Sequence, residues 1–413
     1  MKEKLNEIRQ KYNIDIPAFT VGLSFIWLLL GNMPFLESIQ YNIVFVNLLL
    51  LLLSFLFLKD FKTFNKLNKA LVLMLLWYII SAFTTHTLSN KHTWFTIILS
   101  ILAFMMADTF NANCKRILWK SIFISINTIT ILSFIGYLII RFTDLEHSEI
   151  YTISYSLGNV LQGNRLYGVL NSPNTLGPLA AISFLLSIYY IHNNQSIKNI
   201  IINCALIIIN LFVLKLTGCR SALVALIVSA VCILVFSIKK DRKKKFIIII
   251  SLCLLAGILL VSTLPLLSKL THRDWETGSG RTALYKSALV LIKGSPLFGY
   301  GSLSNYYELC QQISIPMNRA GSHNSYLDMA VTYGLPALVF CLIAIISVII
   351  RLLKNYFAYV DFYKEDIIGE VVLLIFILVY CLFENIVTIC PIQVLFIMGI
   401  FSLSSKLDKC NCN

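Results

Sequence analysis

The stretch KLTHRDWETGSGRTALYKSALVLIKGSPLFGYGSLSNYYELCQQISIPMNRAGSHN, residues Lys269–Asn324, is a long polar interruption in an otherwise apolar chain. It contains Ser279-Gly280-Arg281, Gly299-Tyr300-Gly301 and Ser322-His323-Asn324, with apolar runs on both sides. Those flanking runs decide the fold class, all-α polytopic membrane protein, and make the interruption (269–325) one large loop between two spans. A membrane protein that gathers Arg, His, Gly and aromatic residues into one loop is expected to do chemistry at one membrane face.

Working outward, composition agrees. Of 413 residues, 58% are hydrophobic and 13% charged, and the mean hydropathy is +0.79, which excludes an ordinary soluble domain. Because a crossing helix needs about 20 apolar residues, the chain divides into about twelve candidate spans. They centre near Phe25, Leu50, Leu76, Ile101, Thr130, Phe184, Ile207, Val228, Leu255, Phe340, Ile377 and Phe396. The loop then falls between the ninth and tenth spans of a single integral membrane domain, 1–413. Charged residues precede the first span and no small-residue cleavage site follows it, so it reads as a retained anchor.

The net charge of +14 could suggest nucleic acid, but its distribution points to topology instead. With the N-terminus inside, alternating the spans puts 23 Lys and Arg inside and 11 outside, six of the latter in the large loop. The positive-inside rule discounts long loops. The expectation is a multi-pass protein of the cytoplasmic membrane with both termini cytoplasmic and the large loop extracytoplasmic. The block Lys239-Lys240-Asp241-Arg242-Lys243-Lys244-Lys245 reads as a stop-transfer anchor, with anionic lipid as the other reading. Eleven cysteines show neither zinc spacing nor a disulfide framework, and most sit in spans as small hydrophobes.

On the outer side, Arg165 in Gly163-Asn164-Arg165-Leu166-Tyr167-Gly168, Arg220 in Thr217-Gly218-Cys219-Arg220-Ser221, and Arg281 oppose the usual charge bias. An arginine there either snorkels to headgroups or binds an anion, and its fork suits phosphate. The glycines around Arg165 favour the second reading by permitting close backbone approach. Asn171-Ser172-Pro173-Asn174 reads equally as a turn before the sixth span and as a polar rim beside Arg165. Within the loop, Leu284, Ala288 and Leu291 predict an amphipathic helix over Thr282–Lys293, stopped by Gly294 and Pro296. A second helix is expected from Asn305, with Glu308 as capping partner. Tyr285, Tyr300, Tyr306 and Tyr307 read as an aromatic belt, or as sugar-stacking platforms.

His323 is the candidate base, because an imidazole titrating at about pH 6.5 can take a proton from an alcohol as it attacks. It directly precedes the tenth span in this reading, and Asp328 is placed to orient its ring. A carboxylate in a first helical turn is favourable in any case. No exterior cluster of carboxylates suggests a magnesium or manganese site.

Arg165 and Asn174, then Thr217-Gly218-Cys219-Arg220, Ser279-Gly280-Arg281-Thr282, Pro296-Leu297-Phe298-Gly299-Tyr300-Gly301 and His323-Asn324, resemble in order the O-antigen ligase and polymerase superfamily. The resemblance covers the region 163–335. Two positions depart from it: the family usually has Ser at Cys219 and often Trp at Tyr285. The resemblance implies a metal-independent, inverting membrane glycosyltransferase without a cofactor, acting at the outer face on an undecaprenyl-diphosphate-linked oligosaccharide. It assigns catalysis to His323, Arg281 and Arg220, and substrate binding to Arg165, Asn171, Asn174, Tyr285, Gly299, Gly301 and Asn324. The expected partners are that lipid-linked glycan, the lipid bilayer and a chain-length regulator, with no nucleic acid.

Two activities compete within the family. A polymerase joins lipid-linked repeat units to one another, whereas a ligase hands a finished glycan to another acceptor. The Ile-, Asn- and Lys-rich composition of an AT-rich genome, as in a Gram-positive host, favours a capsule polymerase. A twelve-span transporter is a third reading. It expects related halves and a midplane site, for which Glu370 and Glu384, read here as part of the eleventh span, are the notable ionisable residues.

Overall fold

A computed structural model of the chain describes residues 69–87, 112–142, 161–162, 165–170, 172–193, 196–237, 281–301, 303–316, 321–358 and 361–384. The expected spans near Phe25, Leu50, Ile101, Leu255 and Phe396, the Lys239–Lys245 block, Ser279-Gly280 and Asn171 lie outside the described residues. The described ones are mostly helical and fall into two compact units, with the division inside a helix, after Leu223.

The first unit holds α2 (Ala112–Phe142), a hairpin of β1 (Leu161–Gln162) and β2 (Arg165–Leu166), α3 (Pro173–Asn193) and α4 (Ile197–Thr217), and the start of α5 (Arg220–Ser237). Within these helices, Ile122–Phe142, Pro173–Ile191 and Ile197–Thr217 are long and apolar enough to cross a membrane. They correspond to the expected fifth, sixth and seventh spans. Pro173 opens α3 at the position where a missing N–H costs nothing, and Ser172 Oγ accepts the Asn174 N–H at 3.2 Å. Gly218, at φ 57, ends α4 in the left-handed conformation that glycine adopts freely.

The three helices pack on one another around a buried polar trio. Ser183 Oγ donates to Asn127 Oδ1 at 2.7 Å. Asn210 Nδ2 lies 3.1 Å from both Asn127 Oδ1 and Ser183 Oγ. Hydrogen bonds of this kind between membrane helices contribute on average about 0.6 kcal/mol each. They fix register more than they stabilise.

The second unit comprises α1 (Lys69–Thr84), the remainder of α5, α6 (Arg281–Gly294), α7 (Leu303–Gln312), α8 (Ser325–Tyr333), α9 (Leu335–Ala358) and α10 (Asp361–Tyr380). Its apolar stretches Leu335–Ile350 and Ile368–Tyr380, with Arg220–Cys232 of α5, match the expected tenth, eleventh and eighth spans but are shorter. The loop helix α6 appears where its periodicity placed it, burying Ser287, Ala288, Leu291 and Ile292. Ala288, Leu291 and Ile292 pack with Cys310, Ala330 and Val331. Helix α7 starts at Leu303, so Asn305 lies inside its first turn and cannot be its cap.

The tenth span also differs from expectation. His323 precedes a separate nine-residue helix, α8, and the apolar α9 begins only after Gly334. At φ 84, Gly334 breaks the run, and a Cβ there would come within 1.8 Å of Leu297 O. The segment 296–301 lies against this break. Tyr300 N–H donates to Val331 O and Gly301 N–H to Thr332 O, at 2.9 and 2.8 Å, and Leu335 N–H donates to Pro296 O at 2.8 Å. From α1, Trp77 Nε1 donates to Leu297 O and Tyr333 O, and Ser81 Oγ donates to Phe298 O at 2.6 Å. This strap fixes the C-terminal end of α8, whose other end carries His323.

Candidate functional site

In the second unit the site is organised by the turn that ends α10. The last carbonyls of a helix have no intrahelical partner and form the negative end of its dipole. In α10 the carbonyls of Ile377, Val379 and Tyr380 are taken by the N–H groups of residues 381–384, and the carbonyls of that turn are in their place taken by donors from distant segments. Cys381 O accepts Ser325 N–H at 2.9 Å, and Leu382 O accepts Asn324 Nδ2 at 3.1 Å and Tyr285 Oη at 3.2 Å. Phe383 O accepts Arg281 Nη1 at 2.6 Å, and Glu384 O accepts Ser325 Oγ at 2.7 Å.

The side chain of Glu384 completes the arrangement. Its Oε1 pairs with Arg281 Nη2 at 2.6 Å, and its Oε2 lies 3.1 Å from His323 Nδ1. An ionised carboxylate only accepts, so a neutral imidazole here carries its proton on Nδ1 and leaves the lone pair on Nε2. The His323 side chain is 20% exposed and that of Glu384 10%, so the imidazole is partly open to solvent while the carboxylate beside it is largely enclosed.

The backbone of His323 is strained, at φ 58, a conformation that costs a non-glycine residue on the order of 1–3 kcal/mol. Its surroundings hold it there. Asp328 Oδ1 accepts the N–H of Ser322 at 2.8 Å. Asn324 caps α8, its Oδ1 accepting from Tyr326 and Leu327 N–H at 3.0 and 3.1 Å. Asp328 was expected to orient the imidazole ring; it instead fixes the backbone just before it, and Glu384 meets the ring. Asn324, expected to bind substrate, uses both ends of its amide within the protein. Burial raises the Tyr285 phenol above its ordinary range, offset in part by the Arg281 guanidinium and by a hydrogen bond with Asn324.

Gly299 and Gly301, also expected to bind substrate, have packing roles. A Cβ on Gly299 would fall within 2.6 Å of the backbone at Val331 and Thr332, and one on Gly301 within 2.2 Å of Thr85 Oγ1. The space facing each is already filled by protein.

The first unit carries a second polar group. The hairpin pairs Gln162 with Arg165 and presents Arg165 to the end of α4. Arg165 Nε donates to Thr217 O at 2.8 Å, and its Nη2 donates to Asn174 Oδ1 at 2.9 Å. Asn174 thus lies beside Arg165 and in the first turn of α3. Arg220 opens α5 one residue beyond Cys219, which is buried against Gly177. Among the described residues these two bonds fix the orientation of the Arg165 guanidinium.

Arg281, His323, Asn324 and Tyr285 are therefore brought together in one unit, and Arg165, Asn174 and Arg220 lie in the other. Asn171 lies outside the described residues. Sequence reasoning missed Glu384 as a member of the site, treating it as a residue of a span. It stands four residues past the end of α10, and a carboxylate at the end of an apolar run was the available signal. Glu370, by contrast, lies within α10.

The O-Antigen ligase family model matches residues 205–342. That segment includes Arg220, Arg281 and His323, and leaves Arg165, Asn174 and Glu384 outside it. An uncharacterized protein of Haemophilus influenzae is 26% identical over 199 residues, covering 43% of this chain and 49% of that protein. The chain thus spans about half the length of this curated relative. Through residues 205–342, and the motifs and site residues within them, the chain is similar to the O-antigen ligase family.

Proposed function

We propose that the protein is a polysaccharide polymerase that joins undecaprenyl-diphosphate-linked repeat units by inverting glycosyl transfer at the outer face of the cytoplasmic membrane. The observation that carries this reading is the 3.1 Å approach of Glu384 Oε2 to His323 Nδ1. It leaves Nε2 as the basic nitrogen of a held ring, as a general base requires. In the proposed step, Nε2 takes the proton of an acceptor hydroxyl as its oxygen bonds to the anomeric carbon. The bond from that carbon to the diphosphate breaks, and undecaprenyl diphosphate leaves with the electron pair.

Arg165, Arg220 and Arg281 are assigned to the diphosphate by their chemistry, since a permanent cation stabilises charge that develops on a leaving phosphate. Arg281 divides its charge between that task and the ion pair with Glu384. Tyr285 borders the same cluster and would meet the glycan.

A ligase reading stands second, favoured by the description of the matching family model as an O-Antigen ligase. Reconstitution with a lipid-linked repeat unit separates the two. A product ladder spaced by one repeat supports the polymerase. Transfer that occurs only when a separate acceptor is supplied supports the ligase. Intact donor with neither product overturns both.

A further inference from the structure

Helix α6 has two faces, and only one is accounted for by the site. Arg281, Tyr285, Ala288 and Ile292 face the site and the core. On the opposite side Lys286, Leu289, Val290 and Lys293 are exposed. The two lysines lie two turns apart on one line, with Leu289 and Val290 flanking it at 51% and 53% exposure. Beyond the helix end, Leu297 continues the exposed apolar surface at 56%.

The position of Leu297 relates this face to the membrane. Its carbonyl accepts Trp77 Nε1 of α1, and the carbonyl of the preceding Pro296 accepts the N–H of Leu335, the first residue of α9. From Leu335, α9 presents Val339, Leu342, Ile343, Ile346 and Ile350 outward, and α1 presents Leu73, Leu76, Ile80 and Phe83. In a membrane protein, exposed helical stripes of this kind face lipid. Leu297 sits where the two stripes meet, beside Leu335, at which the apolar helix of the tenth span begins. A helix that leaves that point with lysines set among apolar side chains has the composition of an interfacial helix.

We propose that the Lys286–Leu289–Val290–Lys293 face of α6, with Leu297, is a binding surface for anionic phospholipid headgroups. Leu289 and Val290 enter the headgroup–acyl boundary, and the lysine ammonium groups pair with lipid phosphates. The bilayer thereby holds the helix that carries Arg281 and Tyr285 on its other side. The inference is independent of which glycan reaction the protein performs.

The test places a reporter at Val290, an exposed position that tolerates substitution. The full-length Val290→Trp protein is reconstituted in nanodiscs of equal parts phosphatidylcholine and phosphatidylglycerol, with bromine on the acyl chains of one lipid or the other. Emission is read after subtracting the parent protein, which has five tryptophans. A lysine beside an anionic surface contributes roughly a five-fold preference, so brominated phosphatidylglycerol should quench at least about threefold more than brominated phosphatidylcholine. Adding Lys286→Gln and Lys293→Gln should bring the two lipids towards equality. Equal quenching in the presence of both lysines would overturn the anionic preference. Quenching by neither lipid would overturn lipid contact and leave solvent or a protein on this face.

Discussion

Glu384 Oε2 stands 3.1 Å from His323 Nδ1, while Glu384 Oε1 pairs with Arg281 Nη2 at 2.6 Å. One carboxylate thus holds the ring of the proposed base and balances the charge of the arginine beside it. Replacing it separates orientation from charge. Loss of the carboxylate that orients a histidine base costs as much as about 10⁴ in kcat in a fully buried triad. The partly exposed arrangement here predicts a smaller loss from Glu384→Gln, on the order of 10–100-fold in kcat with KM little changed. Glu384→Asp should recover part of the rate. A residue with a purely structural role would lower the amount of folded protein and leave the turnover of what remains intact.

Asn324 caps α8 through two backbone N–H groups and ties it to Leu382 O. Asn324→Ala should cost about 1 kcal/mol of stability, the usual value for losing such a cap. Thermal unfolding of the purified protein would read this as a lowered midpoint.

At Gly334 a Cβ would meet Leu297 O at 1.8 Å with the backbone at φ 84, so Gly334→Ala should prevent accumulation in the membrane. Gly294→Ala is the contrast, because its Cβ would meet only the far end of the Tyr300 side chain, its Oη at 2.8 Å, and no backbone. Immunoblotting of membrane fractions distinguishes the two. Equal amounts would contradict the packing account of the strap.

The fork of Arg165 spans Thr217 O and Asn174 Oδ1, a geometry that a lysine ammonium cannot reproduce. If Arg165 holds the diphosphate, Arg165→Lys should raise KM for the lipid-linked donor about tenfold while lowering kcat less. An unchanged KM accompanied by a drop in stability would assign Arg165 to the fold alone.

What the sequence made legible follows the range of the forces involved. Leu284, Ala288 and Leu291 announced α6 because helical periodicity is local, and the apolar runs announced the helices Ile122–Phe142, Pro173–Ile191 and Ile197–Thr217 for the same reason. The break at Gly334 was harder to see, because Tyr333-Gly334-Leu335-Pro336 lies inside an apolar run and its turn signals were masked by hydropathy. Gly299 and Gly301 invited a ligand-binding reading. Their close approach is instead to protein, Gly299 to α8 and Gly301 to residues more than two hundred positions earlier. Glu384, 61 residues from His323, was hidden in the same way. Sequence placed it at the end of a span, but only the turn after α10 shows that it faces the loop histidine.

The central claim is that His323 is the base and that Glu384 holds it. The most direct test is turnover of lipid-linked repeat units by reconstituted wild-type, His323→Ala and Glu384→Gln proteins, each matched for folded amount. Loss of a positioned base costs on the order of 10²–10⁴ in rate. His323→Ala should therefore fall at or below the limit of detection, with Glu384→Gln slowed to a level between it and the wild type. A folded His323→Ala protein that keeps more than about a tenth of wild-type turnover would contradict the account.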